Sequence, residues 1–531
     1  MFVHIFSIII QFLPLEQPKM CGFSGFQHNF NLSAPPCVDG HLMQRQRMKY
    51  NVKTDHPHER ARGEQIMSAH IKDFAGKQIH FVGIGGCSMS GLAGLLRRQG
   101  YKVTGSDNTK SHKTDALNAQ GIPVAIGHDA AHIEGADVLV YSAAISVENP
   151  ERAAAAAQHI PQIERAALIG QLMEGYAQAI GISGTHGKTT TTAMMAQVAA
   201  ECGTKPTAHF GGELDALGGS TIEGNKDLFV VESCEFAMSF LKFHPTIAVI
   251  LNIDEDHLDC YRDIDHIEQT FLEFARLTPE EGGWVVGCGD DERCRRVMAM
   301  SGRPTLSFGL RGECDISVEQ LTYDSLGCAN CVVTLRAHQI GELMLSVPGE
   351  HNLIDALAVV AASTILELPM QQVMSSLNAF AGAHRRFELT SVTDAACVYT
   401  DYAHNPTETK NALAIARKAA SGRVFAVLQP HTYSRTKKLF DQWMTCFGDA
   451  DKVVVTNICA ARESDPGDIN AQMLVDAMCK AGIDATLTPS FDDAERHLRA
   501  NWQPGDLIIT LGCGDIDLLN EQIIRNGDTK R

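Results

Sequence analysis

Short apolar runs rich in valine and isoleucine alternate with segments of helical spacing over most of this chain. The pattern begins at Gln78, and a turn that contains glycine, serine or threonine follows each run. Strands that are buried on both faces read as continuous apolar runs, and a helix between two such strands joins them in parallel. The alternation therefore predicts an α/β protein built on parallel sheets.

The spacing of the runs divides the chain into blocks. We predict strands at residues 79–83, 102–105, 138–142, 179–183, 228–232, 246–253, 284–287, 398–402, 424–428, 452–458 and 507–511. A chain of 531 residues has room for several domains of about 150 residues, and we place three, at 73–172, 173–383 and 384–531. Residues 314–347 alternate without helices, which predicts an antiparallel appendage on the second sheet. Residues 1–72 show no sustained periodicity, and we predict a disordered extension there.

Composition excludes two kinds of partner. The chain has 45 Lys+Arg against 63 Asp+Glu, a net charge of −18, whereas a general binder of the phosphate backbone needs the opposite balance. The apolar stretch at 5–15 is interrupted by Gln11 and Pro14, so it fits neither a signal peptide nor a bilayer span. The 16 cysteines are scattered, and Cys328 and Cys331 have no second pair with which to form a zinc site. We expect a cytoplasmic protein with reduced thiols, and neither nucleic acid nor membrane as a partner.

A glycine-rich turn joins the first predicted strand to a helix. It reads Gly-Ile-Gly-Gly at 83–86, and Asp107 ends the next strand. Glycines allow a phosphate to approach the backbone at a helix N-terminus, and an acid about 20 residues later can bind a ribose hydroxyl. Ser88 occupies the third fingerprint position, which disfavours a nicotinamide dinucleotide. A turn without a ligand remains an alternative, and we favour another nucleoside diphosphate.

A second loop, Gly-Thr-His-Gly-Lys-Thr-Thr at 184–190, also lies between an apolar strand and a helix. The backbone N–H groups of such a loop bind β- and γ-phosphates, Lys188 adds a positive charge, and the Thr189 hydroxyl can ligate Mg²⁺. Strict Walker spacing requires glycine where this chain has Ile182, so the loop is a shortened variant. We predict an ATP site on an exposed loop.

Two further strands end near metal-ligating residue types. Glu232 ends one strand, and His257 closely follows another. Ligands bind at the carboxyl ends of parallel strands, so these side chains are placed to hold one or two Mg²⁺ ions beside the ATP phosphates. By itself His257 reads as a surface histidine, and only the neighbouring ATP loop favours the metal. Glu235, Asp256 and Asp259 fit helix caps or solvated carboxylates equally well, and we leave them out of the site.

The last block carries three polar motifs. They are His-Arg-Arg-Phe at 384–387, Asp-Tyr-Ala-His-Asn-Pro at 401–406 and Gln-Pro-His-Thr-Tyr-Ser-Arg-Thr at 429–436. Arginine suits a triphosphate or a carboxylate because its planar guanidinium donates parallel hydrogen bonds, and Asp401 can hold a ribose or orient a lysine. Each motif is ambiguous alone, since either arginine of the first fits a solvated linker charge.

Taken in order, these segments resemble the Mur ligase family of peptidoglycan synthesis over residues 76–531. The motifs that carry the resemblance are Phe-Val-Gly-Ile-Gly-Gly at 81–86 with Met-Ser-Gly at 89–91, the loop at 184–191, Asp-His at 256–257, His-Asn at 351–352, Arg-Arg-Phe at 385–387, Asp-Tyr at 401–402, and Gln-Pro-His at 429–431 with Tyr433, Arg435 and Thr436. The resemblance implies a Rossmann-like N-terminal domain for a UDP-sugar, a central P-loop-type ATPase sheet, and a C-terminal Rossmann-like domain that closes over ATP. It implies a monomer or homodimer that joins L-alanine to UDP-N-acetylmuramate through an acyl phosphate, with ATP as co-substrate and one or two Mg²⁺ ions.

By motif match, the functional positions of the family fall on residues in all three blocks. The catalytic set is Lys188, His257 and Arg386. The ATP-binding set is Gly184, Thr185, His186, Gly187, Lys188, Thr189, Thr190, His351, Asn352, Arg386 and Asp401. The metal-binding set is Thr189, Glu232 and His257. The UDP-sugar set is Gly83, Gly85, Gly86, Ser90, Asp107, His128 and Ser142, and the amino-acid set is His431 and Arg435.

Alternatives to this activity come from the same family and from other classes. One is a sister ligase that adds a recovered murein tripeptide to the same sugar; the segment at 430–436 favours the alanine reaction instead. The others are a nicotinamide-dependent dehydrogenase built on the first glycine loop and a non-catalytic nucleotide-binding regulator.

The chain departs from the usual family residues at Asp355, Ala237 and Thr432.

A lysine is also missing from one family position. Several Mur ligases that act later in the pathway have a carbamylated lysine beyond the metal-binding histidine, where it bridges to a Mg²⁺. That position is Leu272 here, and no lysine occurs between Lys242 and Lys410. Charge near a second metal must come from elsewhere, with Glu268 and Glu273 as candidates and a solvated helix face as the alternative for both.

Overall fold

The structure is a computed structural model that describes residues 69–214, 219–256, 260–311, 313–324, 326–382, 385, 387–393, 395–461 and 463–527. Most of the predicted extension, residues 1–68, lies outside the described residues. Residues 69–72 do not belong to a disordered segment as predicted, because a short helix at Ile71–Phe74 packs onto the rest of the protein. Ile71 is 1% exposed, and its N–H donates to the Gln171 side chain at 2.9 Å.

The first sheet has five parallel strands in the order β3-β2-β1-β4-β5. Its elements are β1 (Gln78–Val82), α1 (Cys87–Arg98), β2 (Lys102–Asp107), α2 (His112–Ala119), β3 (Val124–Ile126), β4 (Val138–Tyr141), α3 (Pro150–Ala157), β5 (Gln162–Glu164) and α4 (Arg165–Met173). Local sequence sets the helix starts: Asn149 caps α3, and Pro150 occupies its first turn. The strand order reverses beside β1, so the loops after β1 and β4 open a crevice at the carboxyl edge.

The second sheet has ten strands in the order β15-β14-β13-β12-β11-β10-β6-β9-β7-β8. Its elements are β6 (Gln178–Ser183), α5 (Lys188–Glu201), β7 (Thr207–Leu214), β8 (Gly219–Ile222), β9 (Leu228–Glu232), β10 (Ile247–Ile250), α6 (Ile264–Arg276), β11 (Trp284–Cys288), α7 (Glu292–Ser301), β12 (Thr305–Phe308), β13 (Ile316–Tyr323), β14 (Cys328–Leu335), β15 (His338–Pro348), α8 (Glu350–Ile365) and α9 (Met370–Ala379). Strand β6 lies between β9 and β10 with parallel pairing on both sides. The loop that follows β6 therefore opens at the carboxyl edge between two crossovers. Strands β13 to β15 pair antiparallel, which confirms the predicted appendage.

The third sheet has six strands in the order β16-β17-β21-β18-β19-β20, and only β16 runs antiparallel to its neighbour. Its elements are β16 (Glu388–Val392), β17 (Ala396–Asp401), α10 (Pro406–Ala419), β18 (Val424–Leu428), α11 (Tyr433–Lys438), β19 (Lys452–Val455), α12 (Ala471–Lys480), β20 (Ala485–Leu487), α13 (Phe491–Asn501), β21 (Asp506–Leu511) and α14 (Asp517–Arg525). Strands β18 and β21 are buried throughout, as their continuous apolar runs require.

The apolar core follows the same division. One cluster of buried side chains runs through the first and second sheets, while separate clusters cover the two faces of the third. Helix α1 packs directly on β7 and β8. A Cβ added at Gly91 would lie 2.2 Å from Thr221 Oγ1, so this close approach requires glycine. In the part of the chain that is described, no helix combines the length and apolar character needed to cross a bilayer.

Candidate active site

The predicted UDP-sugar residues lie along the carboxyl edge of the first sheet. The residues in the turn from β1 to α1 are Gly83, Gly85 and Gly86. Asp107 at the end of β2 accepts the Gly85 N–H on its Oδ2 at 2.8 Å. Ser90 lies on α1, His128 follows β3, and Ser142 follows β4. The structure thus places the set along one edge of the sheet, where the start of α1 offers backbone N–H groups to an anion.

The predicted ATP loop connects β6 to α5. Gly184, Thr185, His186 and Gly187 form the turn, and Lys188, Thr189 and Thr190 begin the helix. Gly187 has φ of +85°, and an added Cβ there would lie 2.4 Å from Asp355 Oδ1. Both the backbone conformation and the space therefore require glycine. The positive end of the α5 dipole faces the loop, which favours phosphate.

The Lys188 side chain is only 12% exposed, contrary to the exposed position that we predicted. Its ammonium donates to the carbonyls of Gly184 and Thr185 and lies 3.0 Å from Glu235 Oε2. Burial is the largest influence and acts to lower the pKa of Lys188, but the charge of Glu235, the hydrogen bond to it and the further charge of Glu232 act together to hold that pKa above the ordinary value. The prediction missed this because nothing in the sequence shows that the acidic stretch after β9 folds back onto the loop.

Thr189 and Glu232 meet across the ends of β6 and β9. Thr189 Oγ1 donates to Glu232 Oε2 at 3.0 Å, and the Gly211 N–H donates to the same oxygen at 2.8 Å. Adjacent oxygen ligands of octahedral Mg²⁺ lie about 2.9 Å apart, so this hydroxyl and carboxylate fit that ion. Among the described residues, which do not include His257, no three His, Cys, Asp or Glu side chains are grouped so as to hold a metal ion. Two protein oxygens supplemented by phosphates are the usual way in which an ATP site holds Mg²⁺.

The predicted adenine-side residues lie at the start of α8, which packs against α5. His351 and Asn352 are in its first turn, where Asn352 Nδ2 donates to the Pro348 carbonyl at 2.7 Å. Asp355, one turn farther along, reaches Gly187 in the ATP loop. The departure from the family pattern at this position therefore places a carboxylate beside the loop.

The third sheet domain reaches the same loop through a residue that the sequence analysis did not select. Glu408 on α10 lies 3.3 Å from His186 Nδ1 and 3.2 Å from His404 Nδ1, through its two oxygens. Asp254 approaches the other ring nitrogen of His186 at 3.8 Å. Burial acts to lower the pKa of His186, but the neighbouring carboxylates of Asp254 and Glu408 raise it to about 9. The ATP loop thus carries a second cation at neutral pH, and that cation faces the C-terminal domain.

The sequence around Glu408 has the features of a helix start, with Asn405 and Pro406 just before it. Asn405 caps α10 by accepting the Glu408 N–H at 2.9 Å, and Glu408 accepts the His404 N–H at 3.0 Å. An N-cap residue followed three positions later by glutamate is typical of a capping box. Here Glu408 accepts the N–H of His404, the residue before the cap, so the box is not closed on Asn405. The pattern accounts for a glutamate at this position, but not for the histidine of another domain that it contacts.

Asp401 and Arg385 stabilise the backbone where the chain enters the third sheet domain. Asp401 accepts two backbone N–H groups at 2.8 Å each, one from the linker and one from the turn after β17. Arg385 is buried, donates to the Gly514 carbonyl at 3.0 Å and lies 3.3 Å from Asp517. It is therefore a structural cation. Arg386, to which the motif match assigns the γ-phosphate, lies outside the described residues, as does His257.

The predicted amino-acid residues lie together after β18. Arg435 Nη1 is 3.3 Å from His431 Nδ1. Burial lowers the pKa of the nearby His404, and the charge of Arg435 acts in the same direction. A guanidinium beside two imidazoles is suited to an incoming carboxylate. Thr432, which replaces a frequent arginine, donates instead to Glu463 at 2.7 Å.

Family models match the chain in the order of its three sheets. The Mur ligase family catalytic domain matches residues 78–177, the Mur ligase middle domain matches 182–363, and the Mur ligase glutamate ligase domain matches 385–514. The chain belongs to the Mur ligase family. This confirms the family and the three-domain fold that the sequence predicted.

Individual Mur ligases are similar to this chain over most of its length. The UDP-N-acetylmuramate–L-alanine ligase of Acetivibrio thermocellus is 42% identical over 451 residues, which cover 85% of this chain and 96% of the relative. That of Clostridium beijerinckii is 40% identical over 455 residues, 86% of this chain and 99% of the relative. Among solved structures, the UDP-N-acetylmuramate-alanine ligase of Thermotoga maritima has a TM-score of 0.72 at 27% identity, covering 84% of this chain and 98% of its own.

Proposed function

We propose that this Mur ligase joins L-alanine to UDP-N-acetylmuramate in peptidoglycan precursor synthesis, with ATP as co-substrate. The observation that carries the proposal is the 3.3 Å contact between His186 and Glu408. This contact places the domain that carries the proposed amino-acid residues against the proposed phosphate loop. An ATP-driven amide ligase needs the two sites close together, because the amine must reach the activated carboxyl group. Relatives at 40–42% identity over most of the chain are named for this reaction.

The first step activates the carboxylate of the sugar. An amine does not displace oxide from a carboxylate at neutral pH, so a carboxylate oxygen first attacks the γ-phosphorus of ATP. An O–P bond forms, the bond to the β-phosphate oxygen breaks, and ADP leaves. Lys188, and by motif match Arg386, would stabilise the charge on the transferring phosphoryl. The Lys188 ammonium must then exchange Glu235 and the loop carbonyls for phosphate oxygens.

The second step forms the amide. The alanine ammonium first loses one proton to solvent, and the free amine attacks the acyl carbon to form the C–N bond. The bond from that carbon to the phosphate oxygen then breaks, phosphate leaves, and the nitrogen loses a second proton to solvent, so that one N–H remains in the amide. Arg435 and His431 would hold the alanine carboxylate, so that attack is a matter of positioning. Closure of the third domain onto the loop would keep water from the acyl phosphate.

A divalent ion fits the same site. Thr189 and Glu232, and by motif match His257, would hold Mg²⁺, which supplies positive charge to the β- and γ-phosphates. The fit rests on the 3.0 Å separation of the Thr189 and Glu232 oxygens.

Phosphate release tests the proposal directly. Purified protein, ATP and UDP-N-acetylmuramate are mixed with each member of a panel of amino acids and with the murein tripeptide. We expect phosphate and ADP in equal amounts, fastest with L-alanine. Preference for the tripeptide would identify the sister ligase, and ATP binding without any phosphate release would identify a regulator. A tight fluorescence titration with NADH would instead favour the dehydrogenase.

A further inference from the structure

The proposed amino-acid residues depend on a short helix. Helix α11 has six residues, and an isolated helix of that length is not stable in water. Arg435 is its third residue, and Arg435 Nη1 lies 3.3 Å from His431 Nδ1 and 3.4 Å from the His431 carbonyl oxygen. The guanidinium therefore folds back over the start of the helix, and its location depends on how that start is held.

The start of α11 is capped from outside the helix. Thr432 is the N-cap residue and has the extended backbone typical of that position. Among the described residues, however, the Thr432 side chain caps no backbone N–H of the helix, and its hydroxyl donates to Oε1 of Glu463 at 2.7 Å. The first backbone N–H groups of α11 therefore need an acceptor from another segment.

Glu463, in the loop after β19, supplies that acceptor. Its Oε2 accepts the Ser434 N–H at 2.9 Å, and the Ser434 hydroxyl donates to its Oε1. Burial acts to raise the pKa of Glu463, but hydrogen bonds, those from Ser434 and Thr432 among them, overcome it and hold that pKa below the ordinary value. The carboxylate is thus ionised at neutral pH. Because an ionised carboxylate only accepts hydrogen bonds, each of these contacts fixes a donor at the helix start.

The loop that carries Glu463 is itself attached to the segment before α11. The Cys459 N–H donates to the Pro430 carbonyl at 2.8 Å, and His431 forms a parallel bridge with Cys459. The Glu463 N–H donates to the Ala460 carbonyl at 2.9 Å, which turns the loop back on itself. The loop is therefore bound to this segment through its backbone before His431 and through a carboxylate after it.

We propose that Glu463 is a positioning residue for the amino-acid site. By capping α11 from the neighbouring loop, it holds Arg435 beside His431, where the two can receive the carboxylate of the incoming amino acid. The identity of that ligand rests on the proposed function. Glu463 acts through the helix start and not through a contact with the amino acid.

Steady-state kinetics of the full-length protein test this role. Glu463→Ala removes the cap, and Glu521→Ala, which removes an exposed glutamate of the same domain, is the matched control. We expect Glu463→Ala to raise the KM for L-alanine about tenfold, an effect of the size typical of a lost N-cap. We expect kcat and the KM values for ATP and UDP-N-acetylmuramate to stay within about twofold of wild type, because only binding of the amino acid is weakened. The control should leave all of these constants unchanged.

A second substitution supplies the missing cap from inside the helix. Asparagine is among the best N-cap residues, and the extended backbone of Thr432 already suits it. In the Glu463→Ala background, Thr432→Asn should therefore return the KM for L-alanine to within about threefold of wild type. The amide carries no charge that could repel the alanine carboxylate.

The outcomes separate positioning from direct contact. An unchanged KM for L-alanine in Glu463→Ala, or equal increases for all three substrates, would overturn the proposal. Failure of Thr432→Asn to restore the KM would overturn it as well, because a residue that acts only as a cap can be replaced by another cap.

A milder variant keeps the proposal testable should Glu463→Ala fail to fold. Glu463→Gln keeps the shape of the side chain but turns an amide NH₂ toward one of the donors, and we expect a KM for L-alanine about threefold higher with kcat unchanged. No change in that KM would overturn the proposal. A wild-type protein that releases no phosphate with any amino acid would instead contradict the proposed function.

Discussion

The ammonium of Lys188 lies 3.0 Å from Oε2 of Glu235, and the two side chains are only 12% and 3% exposed. This ion pair stabilises the conformation of the phosphate loop, because the same ammonium also donates to two loop carbonyls. A γ-phosphate must compete with Glu235 for the lysine. The loop therefore holds its principal cation in place before the nucleotide arrives, and Glu235 is the residue that sets its position.

We predict that Lys188→Ala abolishes turnover and also lowers the free energy of unfolding by about 3 kcal/mol, since it leaves Glu235 buried without its cation. The double variant Lys188→Ala with Glu235→Ala should regain part of that stability and none of the activity. Urea denaturation and phosphate release measure the two quantities. A single variant as stable as wild type would show that the pair is open in solution.

Removal of a proposed Mg²⁺ ligand should raise the Mg²⁺ concentration that the enzyme requires for activity. We predict that Glu232→Gln increases the Mg²⁺ concentration at half-maximal activity by about tenfold or more, because a neutral amide is a weaker ligand than a carboxylate. Glu201→Gln, an exposed carboxylate at the far end of α5, is the control. An unchanged Mg²⁺ requirement in Glu232→Gln would remove this residue from the metal site.

How far the sequence predicts the fold depends on burial. Strands with both faces covered, such as β9, β18 and β21, carry unbroken apolar runs, and their predicted bounds agree with the structure within one residue. The strands that the sequence pattern did not predict are short, lie toward sheet edges, or lack such a run: β3, β5, β7, β8, β12, β16 and β20. A strand of three or four residues is defined by its neighbours' hydrogen bonds, which no local pattern records.

The candidate site shows the same division. Loop residues such as Gly187 were identifiable because their backbone and helix contexts are local in sequence. Glu235, Glu408 and Glu463 were not, because each acquires its role from side chains in distant segments. Glu463 reads in sequence as an ordinary acid in a loop, and only the fold brings Thr432 and Ser434 to it.

The contact between His186 and Glu408 should weaken in alkali. The pKa of His186 is raised from 6.5 to about 9, so its charge contributes stability that is complete below about pH 6.5 and lost as pH rises through about 9. We predict that wild type exceeds Glu408→Gln in thermal stability at pH 6.5 and that the difference shrinks above about pH 9. Asp468→Asn, which removes an exposed ion pair with Lys437, serves as a control. A difference that stays constant with pH would assign Glu408 only a capping role.

Amino-acid recognition should depend on one position of α11. We predict that Arg435→Ala raises the KM for L-alanine by about thirtyfold or more, and the KM for ATP by much less, because the alanine carboxylate loses a charged partner. Lys437→Ala removes a cation from the same short helix, where Lys437 pairs with Asp468. It should leave both constants near the wild-type values. Equal increases for all substrates in Arg435→Ala would exclude Arg435 from the amino-acid site.

The structure also explains why no carbamate can form at the family's lysine position. Leu272 is 4% exposed and lies in the apolar core on α6, beside the fully buried Phe271. Of the two carboxylates considered as substitutes near a second metal, Glu268 is held by both ends of the Arg296 guanidinium, at 2.8 and 2.6 Å. Glu273 accepts a hydrogen bond from Gln269 on the helix surface. Both fit a helix face better than a metal site.

We therefore predict that activity in CO₂-depleted buffer equals activity with added bicarbonate, and that chloride does not act as an activator. A carbamate requires a lysine amine and dissolved CO₂, and this chain has no lysine between Lys242 and Lys410. Initial rates of phosphate release are measured after degassing under argon, with and without bicarbonate at constant pH and ionic strength. A Mur ligase with the carbamylated lysine, assayed in the same buffers, must lose activity on degassing for the test to be valid. Reproducible rescue of this protein by bicarbonate would group it with the later ligases and contradict the assignment of L-alanine as its amino acid.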